Sequence, residues 1–95
     1  MLVVKNPVHP GDVLKELYLE PAGLSTGQLA KRLGVPRTRI ERLVRGETAM
    51  TPDTAIRLAR AFRTSGQFWM NLQTNYDLYW TGRDLKVGGI KPIAA

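Results

Sequence analysis

The chain has 95 residues, enough for one small domain with a modest core and too few for two domains. Hydrophobic residues make up 43% of it and cysteine is absent, which favours a folded domain and excludes disulfides, thiolate nucleophiles and thiolate metal ligands. Fourteen Lys and Arg residues against eight Asp and Glu residues give a net charge of +6, which favours an anionic partner.

Two helices are predicted in the first third of the chain. Residues 12–18 have apolar side chains at helical spacing between breaker residues, and they predict a first helix. Ser25 and Gln28 form the capping-box pattern that begins a second helix, and Gly34 ends it. The side chains expected to be buried are Val13, Leu14 and Leu17 on the first helix and Leu29, Ala30 and Leu33 on the second.

The segment GVPRTRIERLVRG, residues 34–46, predicts a third helix. Pro36 is compatible with the helix start, because the N–H that it lacks would be free there in any case, and Gly46 ends the helix. At about 100° per residue, the side chains divide into an apolar face and a basic face. The apolar face consists of Ile40, Leu43 and Val44. The opposite face consists of Thr38, Arg42 and Arg45, with Arg37 and Arg39 on its flanks.

Two further helices are predicted before a short tail. The sequence TPD at residues 51–53 is a cap-and-proline signal that begins the fourth helix. Thr64 or Ser65 caps the fifth, which is expected to extend to about Trp80. Residues 81–95 contain three glycines and a proline and are expected to lie outside the core. The expected buried side chains are Ala55, Ile56, Leu58, Ala59 and Phe62 on the fourth helix and Phe68, Trp69, Leu72, Tyr76 and Tyr79 or Trp80 on the fifth.

Positive charge is concentrated in the second and third helices. Residues 31–45 contain six basic side chains and one acidic side chain. Two short helices joined by a tight glycine turn, with a basic outer face on the second, are typical of a helix-turn-helix. The positions with steric roles in that motif agree: they are Ala30 where the helices approach, Gly34 at the turn, and Ile40 and Leu43 in the core.

The segment LSTGQLAKRLGVPRTRIERLVRGE resembles the DNA-binding domains of the XRE/Cro-repressor class. The flanking segments, HPGDVLKELYLEPAGLS before it and MTPDTAIRLARAF and FWMNLQTNYDL after it, are similar to HigA (VapI-like) antitoxins. The resemblance implies an all-α, five-helix, lambda-repressor-like domain over residues 1–80, with the helix-turn-helix at 25–46 and a C-terminal tail at 81–95. It also implies a homodimer that binds a palindromic operator in its own promoter and sequesters a HigB-like, ribosome-dependent mRNA-cleaving toxin.

Contact roles follow from the docking mode of this class, in which the N-terminal half of the third helix enters the major groove. The predicted base contacts are Arg37, Thr38 and Arg42, since arginine can bond two acceptors of guanine. The predicted phosphate contacts are Thr26, Gln28, Arg39 and Arg45.

Three positions depart from the pattern of the class. Pro36 stands where Ser or Thr commonly caps the third helix, Arg39 where Thr is frequent, and Arg45 where Asn is frequent. Because arginine reaches phosphate with a full charge, we expect a stronger salt dependence of DNA binding than in a relative without these arginines. An unchanged salt slope in an Arg39→Thr variant would count against this expectation.

Other polar residues have structural interpretations. His9, the only histidine, is predicted to be structural near the start of the first helix. The carboxylates at residues 12, 16 and 20 favour a solvated face, or a contact with a basic partner, over catalysis. Glu41 is expected to pair with Arg37 or Arg45, with a contact to a cytosine amino group as the alternative.

The sequence is compared with three classes of function: an enzyme, a stand-alone repressor and an antitoxin. An enzyme is disfavoured, since no convergent constellation of catalytic groups is present, and no cofactor or metal site is predicted. A stand-alone repressor without a toxin is the alternative to the antitoxin. A toxin gene immediately upstream, and co-purification of the two proteins, would distinguish them.

The sequence also predicts where the protein acts and how it assembles. No apolar run approaches the roughly 18–20 residues of a membrane span, and Pro7 and Pro10 interrupt any export signal, so a soluble cytoplasmic protein is expected. A homodimer is expected from the two-fold symmetry of operators, with Tyr79 and Trp80 as candidates for its interface. Toxin contact is expected through folded helices, with residues 1–8 or the last helix as candidates.

Overall fold

The structure, a computed structural model, describes residues 7–94. This range contains five helices and no strand, which confirms the predicted all-α fold. No helix in it combines the length and the apolar character that a membrane span requires. Most of the candidate toxin-contact segment, residues 1–8, lies outside the described residues. The helices are α1 (residues 10–22), α2 (Thr26–Leu33), α3 (Arg37–Val44), α4 (Pro52–Phe62) and α5 (Gly66–Asp84).

Helix α1 changes geometry along its length. It begins as an α-helix over Pro10–Val13, widens to a π-helix over Leu14–Leu19, and closes with an α-helical turn over Glu20–Ala22. The Glu20 N–H donates to the Lys15 carbonyl five residues back, as in a π-helix. Helix α1 spans residues 10–22, so it is longer at both ends than the predicted helix over residues 12–18.

The π segment explains why one predicted core residue lies at the surface. A period of 3.6 residues places Leu17 on the buried face with Leu14, but Leu17 is 48% exposed. The wider turn brings residues five apart to the same face instead, and Leu14 and Leu19 are both buried. The prediction of Leu17 in the core is wrong.

His9 has the structural role that the sequence predicts. Its Nδ1 accepts a hydrogen bond from the Gly11 N–H at 2.9 Å and so caps α1. The buried ring meets Tyr76 of α5 edge to face, with 5.1 Å between centroids. It also lies beside Gly46, where an added Cβ would be 3.8 Å from the His9 ring. One imidazole thus joins α1, the end of α3 and α5.

The helix-turn-helix elements begin and end within one residue of the predicted positions. Ser25 Oγ accepts from the Gln28 N–H at 3.1 Å, and Gln28 Oε1 accepts from the Ser25 N–H at 2.9 Å, so the capping box is complete. Gly34 ends α2 in the left-handed region, with φ of 72°. Pro36 occupies the N-cap of α3 in an extended conformation and supplies no side-chain hydrogen bond.

Helix α4 buries a narrower stripe than predicted. The Thr51 hydroxyl accepts from the Thr54 N–H and caps the helix as expected. Ala55 and Leu58 are buried, but Ile56 is 61% exposed, so the prediction of Ile56 in the core is wrong. Ile56 directly follows Ala55, so its side chain is rotated about 100° away from the buried face. It reaches α5 only near Gly66, where an added Cβ would be 3.6 Å from the Ile56 Cγ1.

Of the two predicted caps of α5, Ser65 is the N-cap, and Thr64 bonds a core side chain instead. Ser65 Oγ accepts from the Phe68 N–H at 3.0 Å, whereas Thr64 Oγ1 accepts from the Trp69 indole N–H at 2.8 Å. Trp69 is fully buried, and Phe68 meets it edge to face. Phe68 is 36% exposed, so the prediction of Phe68 in the core is wrong. The helix continues to Asp84, about a turn further than predicted.

One core cluster positions α3. Gly11 of α1 packs so closely against α3 that a Cβ there would overlap the Leu43 carbonyl oxygen. Gln73 of α5 is buried; its side-chain oxygen accepts from the Met50 N–H at 2.6 Å, and its amide donates to Asp77 at 2.9 Å. Both α3 and the loop after it are therefore fixed. The buried apolar residues are Val13, Leu14, Leu19, Leu29, Ala30, Leu33, Ile40, Leu43, Met50, Ala55, Leu58 and Trp69.

Candidate nucleic-acid interface

The outer face of α3 is basic, and its inner face is anchored in the core. Ile40 and Leu43 are buried against the other helices. On the opposite side, more than half of each side chain of Arg37, Arg42 and Arg45 is exposed. Burial of the inner pair therefore determines which side chains α3 presents to a partner.

These exposed arginines form long ion pairs. Arg37 lies 3.5 Å from Glu41, which is the first of the two pairings predicted for Glu41. Arg42 and Arg45 lie 3.8 Å and 3.5 Å from Glu47, just beyond the end of α3. Exposed ion pairs of this kind contribute about 0–1 kcal/mol, so the guanidinium groups can exchange them for contacts with an anionic partner.

Arg39 is oriented differently from the other arginines of α3. Its Nη1 donates to Asp53 Oδ1 at 2.8 Å, and Arg57 Nε donates to the same oxygen at 2.8 Å. Arg57 Nη1 also donates to the Leu33 carbonyl at 2.7 Å, at the C-terminal end of α2. The hydrogen bonds from Arg57 and Arg39 hold the pKa of the Asp53 carboxyl below its ordinary value of 3.8. Arg39, Asp53, Arg57 and the Leu33 carbonyl form what we call the Asp53 network, which links α2, α3 and α4.

The N-terminal end of α2 lies beside Arg37. A Cβ added at Gly27 would be 3.2 Å from Arg37 Cδ. Gln28 uses its side-chain oxygen in the capping box, which leaves its amide N–H groups as donors. Thr26 is partly exposed in the same turn. The structure thus brings Thr26, Gln28 and Arg37 together at one end of the basic face.

A groove of about 480 Å³ runs between α3 and the loop that leads to α4. Thr38, Arg39 and Arg42 line one side, and Thr48 and Thr51 line the other. Neither threonine is among the site residues predicted from the sequence; their position in a short polar loop directly after the basic helix was the signal that could have indicated them. Across residues 7–94, no cluster of His, Asp or Glu is arranged to hold a metal ion.

A basic helix fixed on a five-helix core, preceded by a glycine turn, defines a helix-turn-helix domain. Comparison with known proteins supports this assignment, because a helix-turn-helix family model matches residues 14–69. Virulence-associated protein I of Dichelobacter nodosus is 48% identical over 77 residues, which cover 81% of this chain and 71% of that protein. Antitoxin HigA-1 of Vibrio cholerae is 38% identical over 77 residues, which cover 81% of this chain and 72% of that protein.

A solved structure of an antitoxin has the same fold as this chain. That of Pseudomonas aeruginosa antitoxin HigA with the higBA promoter has a TM-score of 0.84 at 35% identity, and the match covers 94% of this chain and all of that one. The chain therefore belongs to the XRE-type helix-turn-helix family, among its HigA- and VapI-like members. The resemblance seen in the sequence is confirmed.

Proposed function

We propose that this protein is an antitoxin that binds operator DNA in its own promoter as a homodimer, represses transcription there and neutralises a cognate HigB-like mRNA-cleaving toxin. The observation that carries the DNA-binding part is the exposed arginine face of α3, held in place by buried Ile40 and Leu43. The similarity to antitoxin HigA-1 and to the HigA structure solved with promoter DNA supports the antitoxin part. We place its action in the cytoplasm and assign it no catalytic, cofactor or metal site.

Within this function, the two kinds of DNA contact are assigned to different side chains. Base reading belongs to the N-terminal half of α3, because that half enters the major groove in this docking mode. The base-reading side chains are Arg37 and Thr38 in that half, together with Arg42, which lies one turn after Thr38 on the same face of the helix. The backbone contacts, which set the register of the protein on the duplex, are Thr26, Gln28, Arg39 and Arg45.

Operator binding is tested with a labelled duplex from the promoter of the gene that encodes this chain. We expect Arg42→Ala to weaken binding by about 1–3 kcal/mol, the range for an arginine that bonds guanine at two positions. Arg60→Ala is the matched control, since it removes the same charge from the last turn of α4, away from the groove between α3 and the loop. Equal losses in the two variants would reduce the effect to net charge and contradict the assignment of Arg42.

Neutralisation is tested separately with the product of the gene immediately upstream. We expect the two proteins to co-purify, and expression of this chain to rescue cells from that product. Operator binding without co-purification or rescue would favour a stand-alone repressor and overturn the antitoxin part alone.

A further inference from the structure

We propose that Asp53 is a positioning residue for operator recognition: it holds Arg39 in one orientation, so that Arg39 reaches the DNA backbone only when α3 is seated in its operator. This inference rests on the proposed DNA-binding function. Arg39 is the arginine of α3 whose guanidinium is bound to another helix, through its 2.8 Å hydrogen bond to Asp53.

The carboxylate that holds Arg39 is also bonded to a second arginine. Asp53 Oδ1 also accepts from Arg57 Nε at 2.8 Å, one turn along α4. Arg57 in turn is anchored to the backbone through its 2.7 Å hydrogen bond to the Leu33 carbonyl. This carbonyl lies at the end of α2, where it has no partner within its own helix and where a positive charge is favourable. Asp53 is therefore bonded to two arginines at once, one of which is anchored to the backbone of α2.

The location of the pair connects it to DNA. Arg39 and Asp53 both line the groove between α3 and the loop, together with the predicted base contacts Thr38 and Arg42. Asp53 takes one of the five N–H donors of the Arg39 guanidinium, and the others remain for a phosphate. Arg39 can therefore keep its contact with Asp53 and bond a phosphate at the same time.

This arrangement favours the operator over other DNA. A free arginine on a flexible stem can reach phosphates on any duplex, and such contacts carry no sequence information. A held arginine, partly neutralised by its carboxylate, meets a phosphate only in the geometry of the fully docked helix. Asp53 thus suppresses the contribution of Arg39 to non-specific binding while preserving it in the operator complex.

The test compares Asp53→Ala with the unmodified protein on the promoter duplex and on a scrambled duplex of equal length and composition. We expect affinity for the scrambled duplex to rise about two- to fivefold, the equivalent of one released surface ion pair. The slope of log affinity against log salt on that duplex should steepen by about 0.9, the value for one added phosphate contact. Operator affinity should change less, so that the ratio of the two affinities falls.

Two further variants separate positioning from simple charge. In an Arg39→Gln background, Asp53→Ala should no longer raise affinity for the scrambled duplex, because the residue it releases is absent. Glu16→Ala, which removes an exposed carboxylate from α1, should leave the ratio of affinities unchanged. Persistence of the Asp53 effect without Arg39, or an equal effect from Glu16→Ala, would overturn the proposal.

Thermal unfolding of each variant shows whether folding is intact. If Asp53→Ala is unfolded, Asp53→Asn replaces it and should give a smaller change in the same direction. Equal changes in both affinities with either variant would overturn the positioning role. A protein that binds promoter and scrambled DNA equally well before any substitution would instead contradict the proposed function itself.

Discussion

At the scale of single residues, His9 illustrates how a polar side chain stabilises this small domain. It satisfies one of the free N–H groups at the start of α1, and its ring is buried against Tyr76 and Gly46. The cap fixes where α1 begins, and the ring fixes what α1 packs against. His9 therefore contributes to the free energy of unfolding in two ways, through the cap hydrogen bond and through the ring contacts.

We expect His9→Ala to lower the free energy of unfolding by about 2 kcal/mol, with roughly half from the lost cap and half from the lost ring contacts. His9→Asn should recover about 1 kcal/mol, because asparagine is a good N-cap but does not replace the ring. Urea unfolding followed by circular dichroism measures both values. If the asparagine variant were no more stable than the alanine variant, the cap would contribute nothing.

At the scale of helices, α1 and α3 approach each other closely at Gly11. Among the glycines of the described chain, Gly11 leaves the least room for a side chain. The Leu43 carbonyl occupies the space where a side chain at residue 11 would begin. The neighbour is backbone, which cannot rotate out of the way. This contact sets how closely α3 approaches α1.

Gly11→Ala is expected to destabilise the domain by about 1–3 kcal/mol, the usual cost of overpacking. Gly82→Ala is the matched control, since Gly82 lies in α5 with open space around it. That substitution should stabilise the fold by about 0.5–1 kcal/mol, because alanine loses less conformational freedom in a helix. Equal melting temperatures for the two variants would contradict the close approach of α1 and α3.

The starts of α2 and α4 were predictable because their signals are local. The Ser25–Gln28 box and the Thr51 cap are hydrogen bonds across three residues, so the residue types alone indicate them. The π segment was not predictable from a 3.6-residue period, and Leu17 was misplaced for that reason. Within the candidate site, the basic face followed from helical geometry. The bond from Arg39 to Asp53 joins residues fourteen positions apart, and only the packing of α3 on α4 reveals it.

At the scale of the whole molecule, several apolar side chains remain exposed in the last turns of α5 and in the tail. The described chain is elongated, 53 Å by 26 Å by 22 Å. Leu78 and Trp80 are exposed near the end of α5, and so are Leu85, Ile90 and Ile93 in the tail that follows. Because exposed apolar surface is favourable to bury between proteins, we expect two copies to pair through the last turns of α5 and the tail.

We expect Leu78→Glu to give a monomer in sedimentation experiments and to weaken operator binding, since a monomer contacts only one half-site. The side chain is 68% exposed, so the substitution should leave the fold of each copy unchanged. Leu17→Glu, which places the same charge on an exposed leucine of α1, should remain dimeric. A dimer that tolerates Leu78→Glu would locate the interface elsewhere.

The π segment of α1 also has a consequence for the length of the chain. A π turn holds one residue more than an α turn, so Leu14–Leu19 absorbs what amounts to a single-residue insertion inside a continuous helix. A relative one residue shorter at this point can keep Gly11 against α3 and Gly23 at the following turn, with a regular helix between them. A one-residue gap within α1 in an alignment of such proteins is therefore compatible with an unchanged helix-turn-helix, and we expect a one-residue deletion to be better tolerated here than in α2 or α3.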